Sequence, residues 1–353
     1  MWIIRYGWRL GILTISLASA AVRGDTQRET LVWDQTFEKL VKDEIQPWYV
    51  QGETGTFNGV SVDDQPVPLH YKAFVNPKAR ADIVIVHGFG ERIPKYMELA
   101  YAFYQQGYSV FLYDQRGFGE SKRLLKNSGA VYVHKFEHYV EDLKLFYDKI
   151  VIPRSPNKPH FIFAHSMGGA VTSLFLARYP EVASRAVLST PMHEMNSGWL
   201  PRWMAYSMVY TGVAIGQGAS YAFGQPRPLF QERFEKAATQ SYSRWKWFSD
   251  FSSQPDQREH ALGGASNHWV LEAYGATSQF SDEGFPRKIK IPILLFQAGK
   301  DTWVVDRAQD FFCQDAPDCT LIRYEDAKHE IYWETDAIRA SYLQKILEFF
   351  GPS

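Results

Sequence analysis

The sequence predicts an α/β protein: a mostly parallel central sheet flanked by helices, with a helical cap inserted after the sixth strand. Three observations carry this reading. Short, uninterrupted apolar runs alternate with segments of helical periodicity, the pattern of strands buried on both faces and joined by helical crossovers. The alternation breaks between residues 192 and 281, where no buried strand is found and five of the eleven tryptophans fall. With 353 residues, 45% of them hydrophobic and 22% charged, the chain can bury a large core, and it carries no repeat or low-complexity tract.

In chain order, residues 1–20 come first. Arg5 and Arg9 precede the apolar run Leu10-Gly-Ile-Leu-Thr-Ile-Ser-Leu-Ala18, and Ala18-Ser-Ala20 has the small-x-small form that a signal peptidase cuts. A signal peptide is expected, with an uncleaved inner-membrane anchor from Trp2 to Val22 as the alternative. Residues 51–60 and 67–75 alternate apolar and polar positions around Asp63-Asp-Gln-Pro66, which reads as an antiparallel pair at a sheet edge. Apolar strands are then expected at 81–86, 109–113, 161–163, 186–189, 291–296 and 320–324. Phe136, Tyr139, Val140, Leu143 and Phe146 recur at helical spacing between two of them. The expected organisation is a core of residues 30–191 and 282–353, with the cap at 192–281.

Composition narrows the partners. Lysine and arginine number 38 against 39 acids, a formal charge of -1 with no basic block, so a nucleic-acid partner is not expected. The aromatic content of 16% exceeds what packing requires and points to an apolar ligand. In the cap, Trp199, Leu200, Trp203, Tyr206 and Tyr210 lie at helical spacing and form one bulky face. That face either packs the cap onto the core or meets a ligand or an interface. Cys313 and Cys319 are the only cysteines; an exported chain would close them as a disulfide, and two unpaired buried thiols are the other reading.

The chemistry concentrates on Ser166. In Phe161-Ile-Phe-Ala-His-Ser-Met-Gly-Gly-Ala170 an apolar strand, a turn of small residues and a helix start meet on one hydroxyl, the sequence form of a nucleophile elbow. Serine attacks only when a base takes its proton. Among ten histidines, His329 follows the last expected strand, and Asp301 follows the one before it. Loops at strand carboxyl ends are where open α/β sheets place their chemistry. The order Ser166, Asp301, His329 is that of an α/β-hydrolase triad. His87-Gly-Phe-Gly-Glu91 ends an expected strand, and the amides of Phe89 and Met167 are the expected oxyanion donors. His87 is read as structural. Asp114-Gln-Arg-Gly-Phe-Gly-Glu-Ser121 lacks the spacing of a nucleotide loop and reads as a shaped turn.

On these residues the chain resembles the lysophospholipase L2 and monoacylglycerol lipase family of serine α/β-hydrolases. Glu91-Arg92, Lys95-Tyr96, Glu98-Leu-Ala-Tyr101 and Ala164-His-Ser-Met-Gly-Gly169 are similar to segments of that family. Gly263-Gly-Ala-Ser-Asn-His-Trp269 with Glu272-Ala273 resembles a bacterial lysophospholipase L2 signature, whereas His87-Gly88 follows the monoacylglycerol lipases. The resemblance implies hydrolysis of one fatty acyl ester from a single-chain lipid, lysophospholipid or monoacylglycerol, with no metal or cofactor. It implies a lipid substrate held under the cap, a membrane surface as partner, and a periplasmic or membrane-associated location. Glu91 matches a head-group contact of the monoacylglycerol lipases, and Glu91, His165, Trp199 and Trp203 are the candidate substrate contacts. A general carboxylesterase, or a binding protein of the same shape without turnover, are the rival readings.

Overall fold

The computed structural model describes residues 36–125, 129–225 and 233–351; the leader, and with it the expected signal peptide or anchor, lies outside the described residues. Eight strands form one sheet in the order β1-β2-β4-β3-β5-β6-β7-β8. They are β1 (Glu53–Asn58), β2 (Pro68–Phe74), β3 (Asp82–Val86), β4 (Ser109–Tyr113), β5 (His160–His165), β6 (Arg185–Ser189), β7 (Ile293–Ala298) and β8 (Cys319–Tyr324). β1 and β2 pair antiparallel, as do β2 and β4; every pairing from β4 through β8 is parallel. All eight expected strands are present. Their ends differ by a few residues because ladder partners, not apolar character, decide where pairing stops: β5 runs on through Ala164 and His165, which face Leu188 and Ser189 of β6.

Burial on both faces explains the uninterrupted apolar runs. In β3, Val84 and Val86 join one core cluster, and Ile83 and Ile85 join the other, as the two-residue strand period requires. Helices α1 (Met97–Gln105), α2 (Glu137–Phe146) and α3 (Met167–Arg178) follow β3, β4 and β5 in turn. α1 contributes Leu99 and Phe103 to the second cluster, while α2 and α3 contribute Leu143 and Val171 to the first. β3 lies between β4 and β5, so the strand order reverses there. Crevices at such reversals, outside the strand carboxyl ends, are where α/β sheets bind ligands.

Between β6 and β7 the described residues hold no strand and three longer helices, α4 (Arg202–Ala214), α5 (Tyr242–Ser252) and α6 (Asn267–Ser278). α4 and α6 pack through Val209, Ala222 and Tyr274. α7 (Asp306–Asp315) and α8 (Asp336–Phe350) complete the chain, and a disulfide joins Cys313 of α7 to Cys319 of β8 with Cα atoms 5.3 Å apart.

The aromatic stripe of residues 199–210 does not pack the inserted segment onto the core; it is exposed. Trp199 is 83% exposed and Trp203 70% exposed, and Tyr206 and Tyr210 are exposed beside them. The helix turns its smaller residues inward, Ala205 and Val209 against Val270 and Tyr274, so the bulky face points to solvent. A segment ahead of β1 was not anticipated as packing: Phe37, Val41 and Ile45 are buried with Met97 of α1 and Trp247 of α5. It bridges the sheet-flanking layer and the inserted helices.

Candidate active site

Ser166 sits between β5 and α3 at φ 51° and ψ -118°. A non-glycine residue in that region is strained, and such strain persists only where the surroundings enforce it. They do so here through the backbone. Ser166 N–H donates to the Ser189 carbonyl at 3.0 Å, and the Ser166 carbonyl accepts from the amides of Gly169 at 2.9 Å and Met192 at 2.9 Å. Gly168 is required by close approach: a Cβ there would lie 2.3 Å from the Val86 carbonyl oxygen. The two glycines after the serine thus let α3 start against the ends of β3 and β6.

Asp301 and His329 arrive from the loops after β7 and β8. His329 Nδ1 donates to Asp301 Oδ2 at 2.6 Å, which leaves Nε2 as the ring's basic atom. Asp301 Oδ1 accepts from the amides of Trp303 at 2.7 Å and Val304 at 3.3 Å. Burial pushes the Asp301 carboxyl up, but the His329 hydrogen bond and charge and those two amides outweigh it and hold the pKa below its usual value. The His329 carbonyl is fixed in turn by Thr190 Oγ1 at 2.9 Å and His165 Nε2 at 3.3 Å.

Ser166 and His329 both line one cavity of about 530 Å³. Phe89, Trp303 and Trp333 border it from the core, and Trp245, Phe248 and Gly263 from the inserted segment. No hydrogen bond joins Ser166 Oγ to His329 Nε2 among the described contacts, a separation common in sites without substrate. Met167 opens α3, where first-turn amides have no acceptor within their own helix. Phe89 lies on the loop after β3, its ring 4.6 Å from that of Trp269. Both candidate oxyanion amides therefore belong to segments adjoining Ser166, one covalently and one across the β3 to β5 pairing.

The candidate substrate contacts are distributed differently from expectation. Glu91 and His165 border the cavity, but their polar atoms are turned into the protein. Glu91 Oε2 accepts from Gly88 N–H at 2.6 Å, from Tyr96 Oη and from His165 Nδ1 at 3.0 Å, while Oε1 accepts from Tyr332 Oη at 2.8 Å and lies 3.3 Å from Lys95 Nζ. Its carboxylate braces the loop after β3 and, through His165, the loop that carries His329. His165 has an acceptor at each ring nitrogen, the Glu91 carboxylate and the His329 carbonyl, so the ring carries both protons. Burial pushes the His165 pKa down, but the charge and hydrogen bond of Glu91 raise it above the usual value. Trp199 and Trp203 do not line the cavity: Trp203 on α4 and Trp199 just ahead of the helix are exposed to solvent.

His87 is structural, as expected. It donates from Nδ1 to the Gly88 carbonyl at 2.7 Å and accepts the Gln115 amide at Nε2 at 2.8 Å, and burial pushes its pKa down. The Asp114–Ser121 turn folds on its own first residue: Asp114 accepts from Glu120 N–H at 2.9 Å and from Ile93 N–H at 2.8 Å. Two contributors were missed by sequence reasoning. One is the Tyr96, Tyr332 and Lys95 shell around Glu91, of which only Lys95-Tyr96 left a motif. The other is Arg92, which borders the cavity and donates to Gln257 Oε1 at 2.7 Å and Ser252 Oγ at 3.1 Å of the inserted segment.

Residues 77–336 match the sequence profile of the family described as Serine aminopeptidase, S33. The chain is similar to lysophospholipase L2 of Escherichia coli strain K12, 30% identical over 340 residues covering 92% of this chain and 95% of that protein. It is also similar to a probable lysophospholipase L2 of Haemophilus influenzae, 29% identical over 91% of this chain and 99% of that one. Among solved structures, a soluble variant of monoglyceride lipase from Saccharomyces cerevisiae superposes with a TM-score of 0.61 at 20% identity, covering 84% of this chain and 95% of that chain, which shows a common fold.

Proposed function

Because the chain belongs to the Serine aminopeptidase, S33 family of α/β-hydrolases, in its lysophospholipase L2 and monoacylglycerol lipase branch, and is a carboxylic ester hydrolase, we propose that it cleaves the fatty acyl ester of lysophospholipids. The observation that carries the reading is that Ser166, strained at a positive φ, opens into the same cavity as His329, whose Nδ1 is held by Asp301.

In this mechanism Ser166 Oγ attacks the ester carbonyl carbon as His329 Nε2 takes its proton. Asp301 holds the ring in the tautomer that leaves Nε2 free and stabilises the imidazolium. The amides of Phe89 and Met167 receive the charge on the carbonyl oxygen; losing one such donor typically costs about 2.7 to 4 kcal/mol in the transition state. His329 then protonates the leaving glycerol oxygen, and the acyl group remains on Ser166. Water, deprotonated by the same nitrogen, releases the fatty acid.

Monoacylglycerol hydrolysis is the second reading, favoured by the His87-Gly88 pair. The relatives named lysophospholipase L2, aligned over nearly their whole length, support the first. For location, an exported protein, periplasmic or membrane-associated, accords with the leader's composition and with the Cys313–Cys319 disulfide. The exposed face made by Trp199 and, on α4, Trp203 is the side expected to touch a lipid surface.

The test is a substrate panel on purified full-length chain: lysophosphatidylethanolamine, monoacylglycerol of the same acyl chain, and a short nitrophenyl ester. Preference for the lysophospholipid supports the reading, and a wide preference for the short ester overturns it. Fluorophosphonate labelling of the wild type but not of Ser166→Ala assigns the nucleophile. Flotation with anionic vesicles, lost on replacing Trp199 and Trp203 by Ser, checks the membrane face.

A further inference from the structure

Arg92 and Lys95, two long cationic side chains that line the cavity, differ in what neutralises them. Lys95 is ion-paired with Glu330 and lies 3.3 Å from Glu91, so its charge is answered within the protein. Arg92 is only 7% exposed and borders the same cavity, yet among the described residues no carboxylate lies within ion-pair distance of it. Its two protein acceptors are neutral, Gln257 Oε1 and Ser252 Oγ. The rings of Phe248 and Phe251 flank it with centroids 5.6 and 5.2 Å from Cζ. A guanidinium offers five donors in a planar fork, and two of these are used. A buried cation without a counterion is costly unless something supplies the charge.

The charged groups around Arg92 are of both signs, and none of the carboxylates pairs with it directly. Arg123 is half-buried close enough for the two guanidinium charges to oppose each other, and among the described residues it reaches only the Glu259 carbonyl, at 3.5 Å. The carboxylates acting on Arg92 at longer range are Asp114, Glu120 and Asp256. Asp114 is already bonded to the amides of Ile93 and Glu120, Glu120 lies 3.6 Å from His70, and Asp256 accepts from Gln257. His260 also lines the cavity, its Nδ1 3.0 Å from the Gly119 carbonyl oxygen. Arg92 follows Phe89 by three residues, so chain connectivity keeps its Cα within about 10 Å of the oxyanion loop.

We propose that Arg92 is the phosphate-binding residue of the site, receiving the head-group phosphodiester of a lysophospholipid whose ester carbonyl lies at Ser166. The planar fork suits phosphate oxygens, and the anion would complete the neutralisation that the fold leaves undone. The inference rests on the lysophospholipase reading and deepens it: Arg92 would separate phosphate-bearing lipids from neutral monoacylglycerols. The competing account, a clamp tying the loop after β3 to the inserted segment, requires the same bonds to Ser252 and Gln257 but no discrimination between substrates.

The experiment compares full-length wild type, Arg92→Gln and Arg92→Lys on lysophosphatidylglycerol and monoacylglycerol of one acyl chain in the same detergent micelles. The quantity read is the ratio of kcat/KM for the phospholipid to that for the neutral lipid. The expected result is a fall of about 10- to 100-fold in that ratio for Arg92→Gln, the range of one lost charge-assisted contact, with partial recovery in Arg92→Lys. A ratio unchanged within about twofold overturns the proposal, whether or not both rates fall, because a clamp alone affects both substrates alike. A wild type that cleaves only monoacylglycerol overturns the lysophospholipase reading itself. In that case, inhibition of monoacylglycerol hydrolysis by inorganic phosphate at constant ionic strength, lost in Arg92→Gln, marks a site for free phosphate and overturns the lipid head group as its source.

Discussion

His165 Nε2 lies 3.3 Å from the carbonyl oxygen of His329, so the residue preceding Ser166 holds the loop that carries His329. Because the other nitrogen of His165 meets Glu91, one buried imidazolium links three loops: the turn at Ser166, the oxyanion loop through Gly88, and the base loop. Each loop belongs to a different strand, and no sequence separation shorter than 70 residues connects His165 to either partner loop.

Glu91 and His165 set a pH window for stability. The folded-state pKa of His165 is raised above 6.5, so its contribution is complete below that value and is lost as pH rises through the folded pKa. Glu91 is held well below 4.5 by His165 and Lys95 despite its burial, so its contribution is present above 4.5 and is lost as pH falls through its folded pKa. Thermal melts across pH are expected to show the wild type losing stability on the alkaline side, with that limb flattened in Glu91→Gln and His165→Gln. An alkaline limb unchanged in both variants would remove the pair as its cause.

Asp301→Asn keeps the shape of the contact but offers the His329 ring an amide in place of a carboxylate. The expected loss is about 10⁴-fold in kcat, from the wrong tautomer and an unstabilised imidazolium. The depressed pKa of Asp301 also means that its share of stability, present above the unfolded value, is lost as pH falls through the folded value. Steady-state kinetics on a soluble ester, with melts at acidic pH, read both effects; kcat within tenfold of wild type would exclude Asp301 from the role.

Gly168→Ala places a methyl carbon 2.3 Å from the Val86 carbonyl oxygen and 2.6 Å from that of His87. Both obstacles are backbone, so the start of α3 must shift away from β3. A stability loss of about 1 to 3 kcal/mol is expected, with slower fluorophosphonate labelling of Ser166 as the elbow relaxes. Unchanged labelling at wild-type stability would show that the close approach is not required.

Arg244 ties the inserted segment to the core. Buried in α5, it pairs with Glu98 of α1 at 2.9 Å and Asp336 of α8 at 2.8 Å, and stacks over Phe37 with the ring centroid 5.1 Å from Cζ. Removing one partner of a buried pair leaves the other uncompensated, so Arg244→Met is expected to cost about 3 kcal/mol, moderated because Arg339 also reaches Glu98 at 3.2 Å. In urea unfolding, the double variant Arg244→Met, Glu98→Gln should lose less than the single one. Equal losses would mean that the charge left on Glu98 is not the cause.

Local order was legible in the sequence. Ile83 to Val86 announces a strand because four consecutive apolar residues are needed where both faces are covered. Ser166, Gly168 and Gly169 announce the elbow because a tight turn restricts which side chains fit, and a restriction on size is visible residue by residue. Asp301 and His329 were found because strand carboxyl ends are positions in the chain as well as in space. The orientation of α4 was not legible: a helical stripe of Trp203, Tyr206 and Tyr210 fixes which residues share a face, but not which way the face turns.

The sequence by itself determined the strands, their alternation with helices, and the placing of Ser166, Asp301 and His329 after strand ends, since each depends on side-chain size and period within a few residues. Only the tertiary structure decided what answers each buried charge. Glu91 is met by His165, Tyr332 and Lys95, Arg244 by Glu98 and Asp336, and Arg92, among the described residues, by neutral acceptors alone. Coulomb energy depends on distance and burial, and the chain brings these groups together from segments far apart in sequence.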